Sequence, residues 1–235
     1  HQPLPDHPMD VDVIIPALNE AGNIPQLVRE AAAQPVARVI VADNGSTDGT
    51  GPLAAEAGAH VVVEPRRGYG YACAAGVAAA TGDILLFLDG DFSSLPAEMP
   101  RLFLPVQQGR ADLVLGSRVL GDILPGAMPP HQRFGNWLTS ALMRQLYKVA
   151  VTDLGPYRAI RRDLLQELHM QEMTFGWPTE MMVKCARRGV PILEVPVSFA
   201  PRRAGQSKVS GTLRGSVLAA YYILGVTLRY AFSSR

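Results

Sequence analysis

Five short apolar runs punctuate the first half of the chain: VDVIIP (11–16), ARVIVAD (37–43), HVVVE (60–64), DILLFLD (83–89) and ADLVLGS (111–117). Between them lie segments with helical composition or spacing: NIPQLVREAAAQ (23–34), TGPLAAEAG (50–58), GYACAAGVAAATG (70–82) and AEMPRLFLPVQQG (97–109). Nearly continuous Val/Ile/Leu strands alternating with helices predict an α/β fold with a mainly parallel sheet covered on both faces. The second half is patterned differently. Residues 118–157 are rich in Gly, Pro and Arg, with a helix predicted over 134–149. Further helices are predicted at RRDLLQELHM (161–170) and PTEMMVKCARRG (178–189), a strand at PILEVPVSFAP (191–201), and a basic Gly/Ser loop at RRAGQSKVSG (202–211). The pattern divides into a loose arm (1–10), one domain (11–211, with halves 11–117 and 118–211) and an apolar C-terminal helix (212–235).

The chain has 235 residues, 48% hydrophobic and 18% charged, which suits one substantial core. Its net charge of +1 gives no global basic field and argues against a nucleic-acid partner. Cys73 and Cys185 form no CxxC pair, and the histidines lack zinc spacing, so buried thiols in a reducing, cytoplasmic setting are expected. No segment reaches the ~18 apolar residues of a membrane span. The nearest, GSVLAAYYILGVTL (215–228), is apolar on nearly every face. It reads as a core helix, a homo-oligomer contact or a helix lying in a membrane surface.

Open parallel sheets bind ligands beyond the carboxyl ends of their strands. Asp43 ends the second run, Asp89 ends the fourth, and Pro16, Asn19 and Glu20 follow the first. Neither GxGxxG nor GxxxxGK[ST] follows the first run, so the motifs of dinucleotide and P-loop sites are missing. Instead, LLFLDGDFS (85–93) sets two carboxylates one residue apart at a strand exit. Such a pair suits a hard divalent ion, Mg2+ or Mn2+, completed by substrate phosphates. Gly205, Ser207 and the flanking basic residues give loop 202–208 the composition of an anion site.

IIPALNE (14–20), VADNGSTDGT (41–50) and FLDGDFS (87–93) together resemble the family 2 glycosyltransferases of the GT-A fold. GSR (116–118), TDLGPYRAIRR (152–162), FGWPTEM (175–181) and RRAGQSKVSG (202–211) resemble the branch containing dolichyl- and polyprenyl-phosphate sugar synthases. The likeness covers roughly 11–211. It implies a nucleotide-diphosphate sugar donor, UDP or GDP, and a pocket lined by Pro16, Ala17, Glu20, Gly68 and Gly90. Asp43 would accept from the base ring N–H. Asp89 and Asp91 would face ribose, diphosphate and metal. Arg118 would lie near phosphate, and Arg202, Ser207 and Lys208 would clamp phosphates. Two positions depart from the pattern: Asn44 replaces a second Asp, and Ser93 stands where a Gln is frequent.

The acceptor depends on the chemistry of the second half. A hydroxyl nucleophile needs a base, and Asp153 or Glu180 is available. A lipid phosphate needs only cations, which Arg118, Arg133, Arg158, Arg202, Arg203 and Lys208 supply. The expected activity is therefore inverting, metal-dependent transfer to polyprenyl or dolichyl phosphate, with Asp91, Arg118, Asp153 and Glu180 as candidate catalytic residues. That acceptor places the chain peripherally on the cytoplasmic face of a membrane. Two alternatives are transfer to a hydroxyl of a glycolipid, wall polymer or small metabolite, and nucleotide-sugar binding without transfer. Tyr69, Tyr71 and Cys73 read as packing, and Arg161, Arg162, Arg187 and Arg188 as solvated helix faces.

Overall fold

The structure is a computed structural model that describes residues 7–204 and 213–232. The five apolar runs are strands β1 (Val11–Ala17), β2 (Arg38–Asp43), β3 (His60–Val63), β4 (Ile84–Phe87) and β5 (Leu113–Ser117). Between them run α1 (Ile24–Ala32), α2 (Thr50–Glu56), α3 (Tyr69–Ala79) and α4 (Met99–Gln107). The second half adds α5 (Pro130–Tyr147), β6 (Arg158–Arg161), α6 (Arg162–Glu167), α7 (Trp177–Arg187), β7 (Ile192–Pro196) and α8 (Leu213–Phe232).

Seven strands form one sheet in the order β3-β2-β1-β4-β6-β5-β7. All neighbours are parallel except β6, which runs antiparallel to both β4 and β5. Every residue of β1 is buried, which explains its unbroken apolar character. Successive side chains enter opposite cores. Val13 and Ile15 meet Leu27 of α1 and Phe103 of α4, whereas Ile14 joins Cys73 of α3 and Met181 of α7. Small residues let α3 lie close to β1, for a Cβ at Gly76 would collide with Ile14 Cγ2.

Several expectations change. Met9 is buried and its carbonyl accepts from Gln107 Nε2 at 2.8 Å, so the arm is tied down by that point. Helix α5 begins at Pro130, four residues before its predicted start, because Pro costs nothing where helix N–H groups lack partners. The strand predicted over 191–201 stops at Pro196, with one bridge beyond it between Ile123 and Phe199. Strand β6, RAIR, was not predicted; it runs just before the helix predicted over 161–170 and takes that helix's first residue, Arg161, so α6 starts at Arg162. Arg161 is buried there and pairs with Asp163 at 2.6 Å and Asp112 at 3.6 Å, so it does not sit on a solvated helix face.

Helix α8 packs on α5 and α7 through Ala219, Val226 and Thr227. The Thr227 carbonyl accepts from the Tyr147 hydroxyl, and the Tyr230 carbonyl from Arg187 Nη1 at 3.1 Å. Among the described residues, no helix is long and apolar enough to cross a membrane.

Candidate active site

The carboxyl ends of β1, β2 and β4 deliver Glu20, Asp43, Asp89 and Asp91 to one edge of the sheet. Strand β6 brings its opposite end there, with Arg158 in register with Phe87 and Leu115. A Cβ built on Gly90 would lie 3.2 Å from Glu20 Cγ, 3.4 Å from the Pro16 carbonyl and 3.6 Å from Ala17 Cβ. Pro16, Ala17, Glu20 and Gly90, four of the five residues expected to wall one pocket, thus meet. On the other side, Gly68 N–H donates to Asn44 Oδ1 at 2.9 Å, while Asn44 Nδ2 donates to the Glu64 and Arg66 carbonyls at 2.9 and 2.7 Å. The carboxamide both donates and accepts here; an Asp carboxylate has no hydrogen to give those carbonyls.

The acids are knit together by one arginine. Arg202 binds Glu20 through both terminal nitrogens at 2.8–2.9 Å, and its Nη2 lies 3.6 Å from Asp91 Oδ2. Asp91 Oδ1 accepts from Ser93 N–H at 2.9 Å, and Asp89 Oδ1 accepts from the Tyr69 hydroxyl at 3.0 Å. Residues 200–204 cross this cluster as a strap. Ala200 N–H donates to the Ser93 carbonyl at 2.9 Å, Asn23 Nδ2 to the Ala204 carbonyl at 3.1 Å, and Arg203 stacks over Phe92 at 3.9 Å.

Burial, then the charge of Asp91, pushes the Asp89 carboxyl up to about 7, against the opposing effects of Tyr69 and Arg118. This crowding of negative charge fits a bound cation, which relieves it. Among the described residues, no group of three or more His, Cys, Asp or Glu gathers to hold an ion unaided. Asp89 and Asp91 therefore fit an ion that takes its other ligands from phosphate and water.

Across the edge, Asp153 accepts from Arg118 three times: from its backbone N–H and Nε at 2.7 Å and from Nη2 at 2.6 Å. Both side chains are buried. Burial alone would raise the Asp153 carboxyl; the Arg118 charge and these bonds outweigh it and hold it below its usual value. Removing one partner of such a pair typically costs ~3–5 kcal/mol. Glu194 of β7 fixes the turn by accepting from the N–H groups of Thr152 at 2.9 Å and Asp153 at 3.1 Å.

Residues 12–169 match the profile of the family described as Glycosyl transferase family 2. The chain belongs to that family. The glycosyltransferase is 41% identical over 211 residues to an uncharacterized glycosyltransferase of Mycobacterium tuberculosis, covering 89% of this chain and 94% of the relative. It is 32% identical over 236 residues to an undecaprenyl-phosphate mannosyltransferase of Micrococcus luteus, covering 94% and 96%. It is also 32% identical over 215 residues to a polyprenol monophosphomannose synthase of Mycolicibacterium smegmatis, covering 85% and 81%. Its fold matches the crystal structure of Mycobacterium tuberculosis glucosyl-3-phosphoglycerate synthase in complex with Mn2+, UDP and glucosyl-3-phosphoglycerate. The TM-score is 0.78 at 23% identity, over 97% of this chain and 81% of that one. The mostly parallel seven-stranded sheet is thus the GT-A fold.

Not every candidate of this glycosyltransferase joins the cluster. Asp43 is buried and its Oδ1 accepts from Ser46 N–H at 2.9 Å, so it also shapes the loop after β2. Glu180 is fully buried; its carboxylate accepts from Gln171 and Glu172 N–H at 3.0 and 2.8 Å and from the Tyr230 hydroxyl at 2.6 Å, with Lys184 Nζ at 2.9 Å. Arg158 is buried too, and donates to the Pro178 carbonyl at 2.6 Å and to the Gly155 carbonyl. It is structural, and burial draws it down to about 10. Arg133 is exposed and donates to the Met128 carbonyl at 3.2 Å. Ser207 and Lys208 lie outside the described residues. Tyr69, read from its small-residue helix as packing, instead meets Asp89 through its hydroxyl, and Glu194 went unnoticed in an apolar strand.

Proposed function

We propose that this glycosyltransferase moves one sugar from a UDP- or GDP-linked donor to a polyprenyl or dolichyl phosphate, with inversion at C1 and with Mg2+ or Mn2+. The observation that carries this reading is the state of two carboxylates. Asp153 is bound along both oxygens by Arg118, and Glu180 is engaged by two N–H groups, a phenol and an ammonium. Neither stands free to take a proton from a hydroxyl. A lipid phosphate is already anionic. One of its oxygens attacks C1, the bond from C1 to the diphosphate oxygen breaks, and the nucleoside diphosphate leaves with the electron pair. The names of the Micrococcus and Mycolicibacterium relatives support this acceptor class.

In this reading Pro16, Ala17, Glu20, Gly68 and Gly90 wall the nucleotide, and Asp43 accepts from the base. Asp89 and Asp91 hold the divalent ion, which when bound stabilises charge on the departing diphosphate. Arg202 exchanges its carboxylate partners for phosphate oxygens, Ser207 and Lys208 complete that clamp, and Arg118 and Arg133 serve the acceptor phosphate. Losing one such electrostatic contact typically costs ~3 kcal/mol, about a hundredfold in rate. The test offers UDP- and GDP-sugars to the protein with a polyprenyl phosphate and, in parallel, with the matching polyprenol, with Mn2+ or with chelator. Lipid-linked sugar is expected from the phosphate alone and only with metal. Transfer to the alcohol, or turnover in chelator, overturns the reading.

A further inference from the structure

Tyr69 opens α3 between two glycines, and it does more than fill space. Its hydroxyl donates to Asp89 Oδ1 at 3.0 Å. A carboxylate with one oxygen engaged in this way presents the other in a set direction.

The hydroxyl is held from behind. Gly70 N–H donates to the Met173 carbonyl at 3.1 Å. A Cβ at position 68 would collide with the Met173 carbonyl, and one at position 70 would stand 2.5 Å from that of Glu172. The first turn of α3 therefore lies flush on a ledge, Glu172–Met173. Glu180 hangs that ledge by its bonds to Gln171 and Glu172 N–H, and Tyr230 of α8 braces Glu180. Contacts thus run unbroken from the C-terminal helix to the acid pair.

We propose that Tyr69 is a positioning residue for Asp89: its hydroxyl sets which carboxylate oxygen meets a divalent cation, and the ledge carried by Glu180 keeps it in place. The inference rests on the metal reading under Proposed function. Groups that hydrogen-bond a metal ligand from outside typically change metal affinity 10–100-fold when removed.

Tyr69→Phe deletes one oxygen. Free Mn2+ is read by electron paramagnetic resonance during titration of the full chain, alone and with UDP or GDP, with no acceptor and so no turnover. The Mn2+ Kd is expected to rise about tenfold in Tyr69→Phe at an unchanged metal-free Tm. Tyr71→Phe, on the same helix beneath Arg66, is expected to bind like the wild type. Added to Asp89→Asn, Tyr69→Phe is expected to weaken Mn2+ no further, since it acts through that carboxylate. A Tyr69→Phe affinity unchanged from wild type overturns the inference. So does a further loss in the double variant, which would mark a general structural role. Wild-type protein that takes up no Mn2+ with either nucleotide defeats the metal reading itself and this inference with it.

Discussion

Burying Asp89 beside Asp91 has a cost that its protonation reveals. The carboxyl titrates near 3.8 in an open chain and is pushed up to about 7 in the fold. Between those values the folded protein keeps a proton that the unfolded chain has released. Stability therefore falls as pH rises through this window, and the loss is complete above about 7. The span corresponds to about 4 kcal/mol at most, and water reaching the half-buried carboxyl reduces it. Asp153 and Glu180 behave oppositely. Both are held below their usual values, so their contributions are complete above about pH 5 and are lost only on stronger acidification. In metal-free protein, Asp89→Asn should therefore be more stable than wild type by ~2–4 kcal/mol at pH 8, with the advantage gone at pH 4. Urea unfolding at the two pH values checks this. An equal difference at both would mean that Asp89 is ionised throughout.

Helix α3 shows how far the pattern of a segment reveals its job. Its alanines and glycines read correctly as a helix, and its closeness to β1 follows from them. Gly76→Ala tests that closeness. In an open helix the change gains ~1 kcal/mol; here the new methyl meets Ile14, and a net loss of ~1–3 kcal/mol in unfolding free energy is expected. A gain would show that α3 can shift away from the sheet. Strands β1, β2, β4 and β5 were legible because both faces are buried, so that Val, Ile and Leu run without alternation, and the ends of β1, β2 and β4 set Glu20, Asp43, Asp89 and Asp91 along one edge; β3, at the sheet edge and partly exposed, was legible from its valines. Strand β6 was not legible. It has four residues, and two are arginines that look solvated. Arg158 is held by the carbonyls of Gly155, three residues before it, and of Pro178, in the first turn of α7, which only the fold brings near. Glu180 hid in the same way: a carboxylate in the first turn of a helix gives no sign that Gln171 and Glu172 will offer it N–H groups.

Across the molecule, apolar surface gathers on the helices of the second half. On α8, Val217 and Tyr221 are 61% and 71% exposed, and on α5, Phe134 and Trp137 are 62% and 59% exposed. The proposed lipid-phosphate acceptor would bring the chain to a membrane surface, and these side chains suit the headgroup boundary. Flotation with anionic liposomes should recover the full chain with the vesicles and leave a chain ending at Ser210 largely behind. Equal recovery of the two would remove α8 from that role. The reversed strand also bears on biogenesis. β4 is central, yet one of its neighbours is β6, which leaves the ribosome long after it. A nascent chain that has reached only β5 carries an unzipped seam through its middle, ready to capture any stray strand. The two halves of the chain share that seam and are expected to mature together rather than as separate modules.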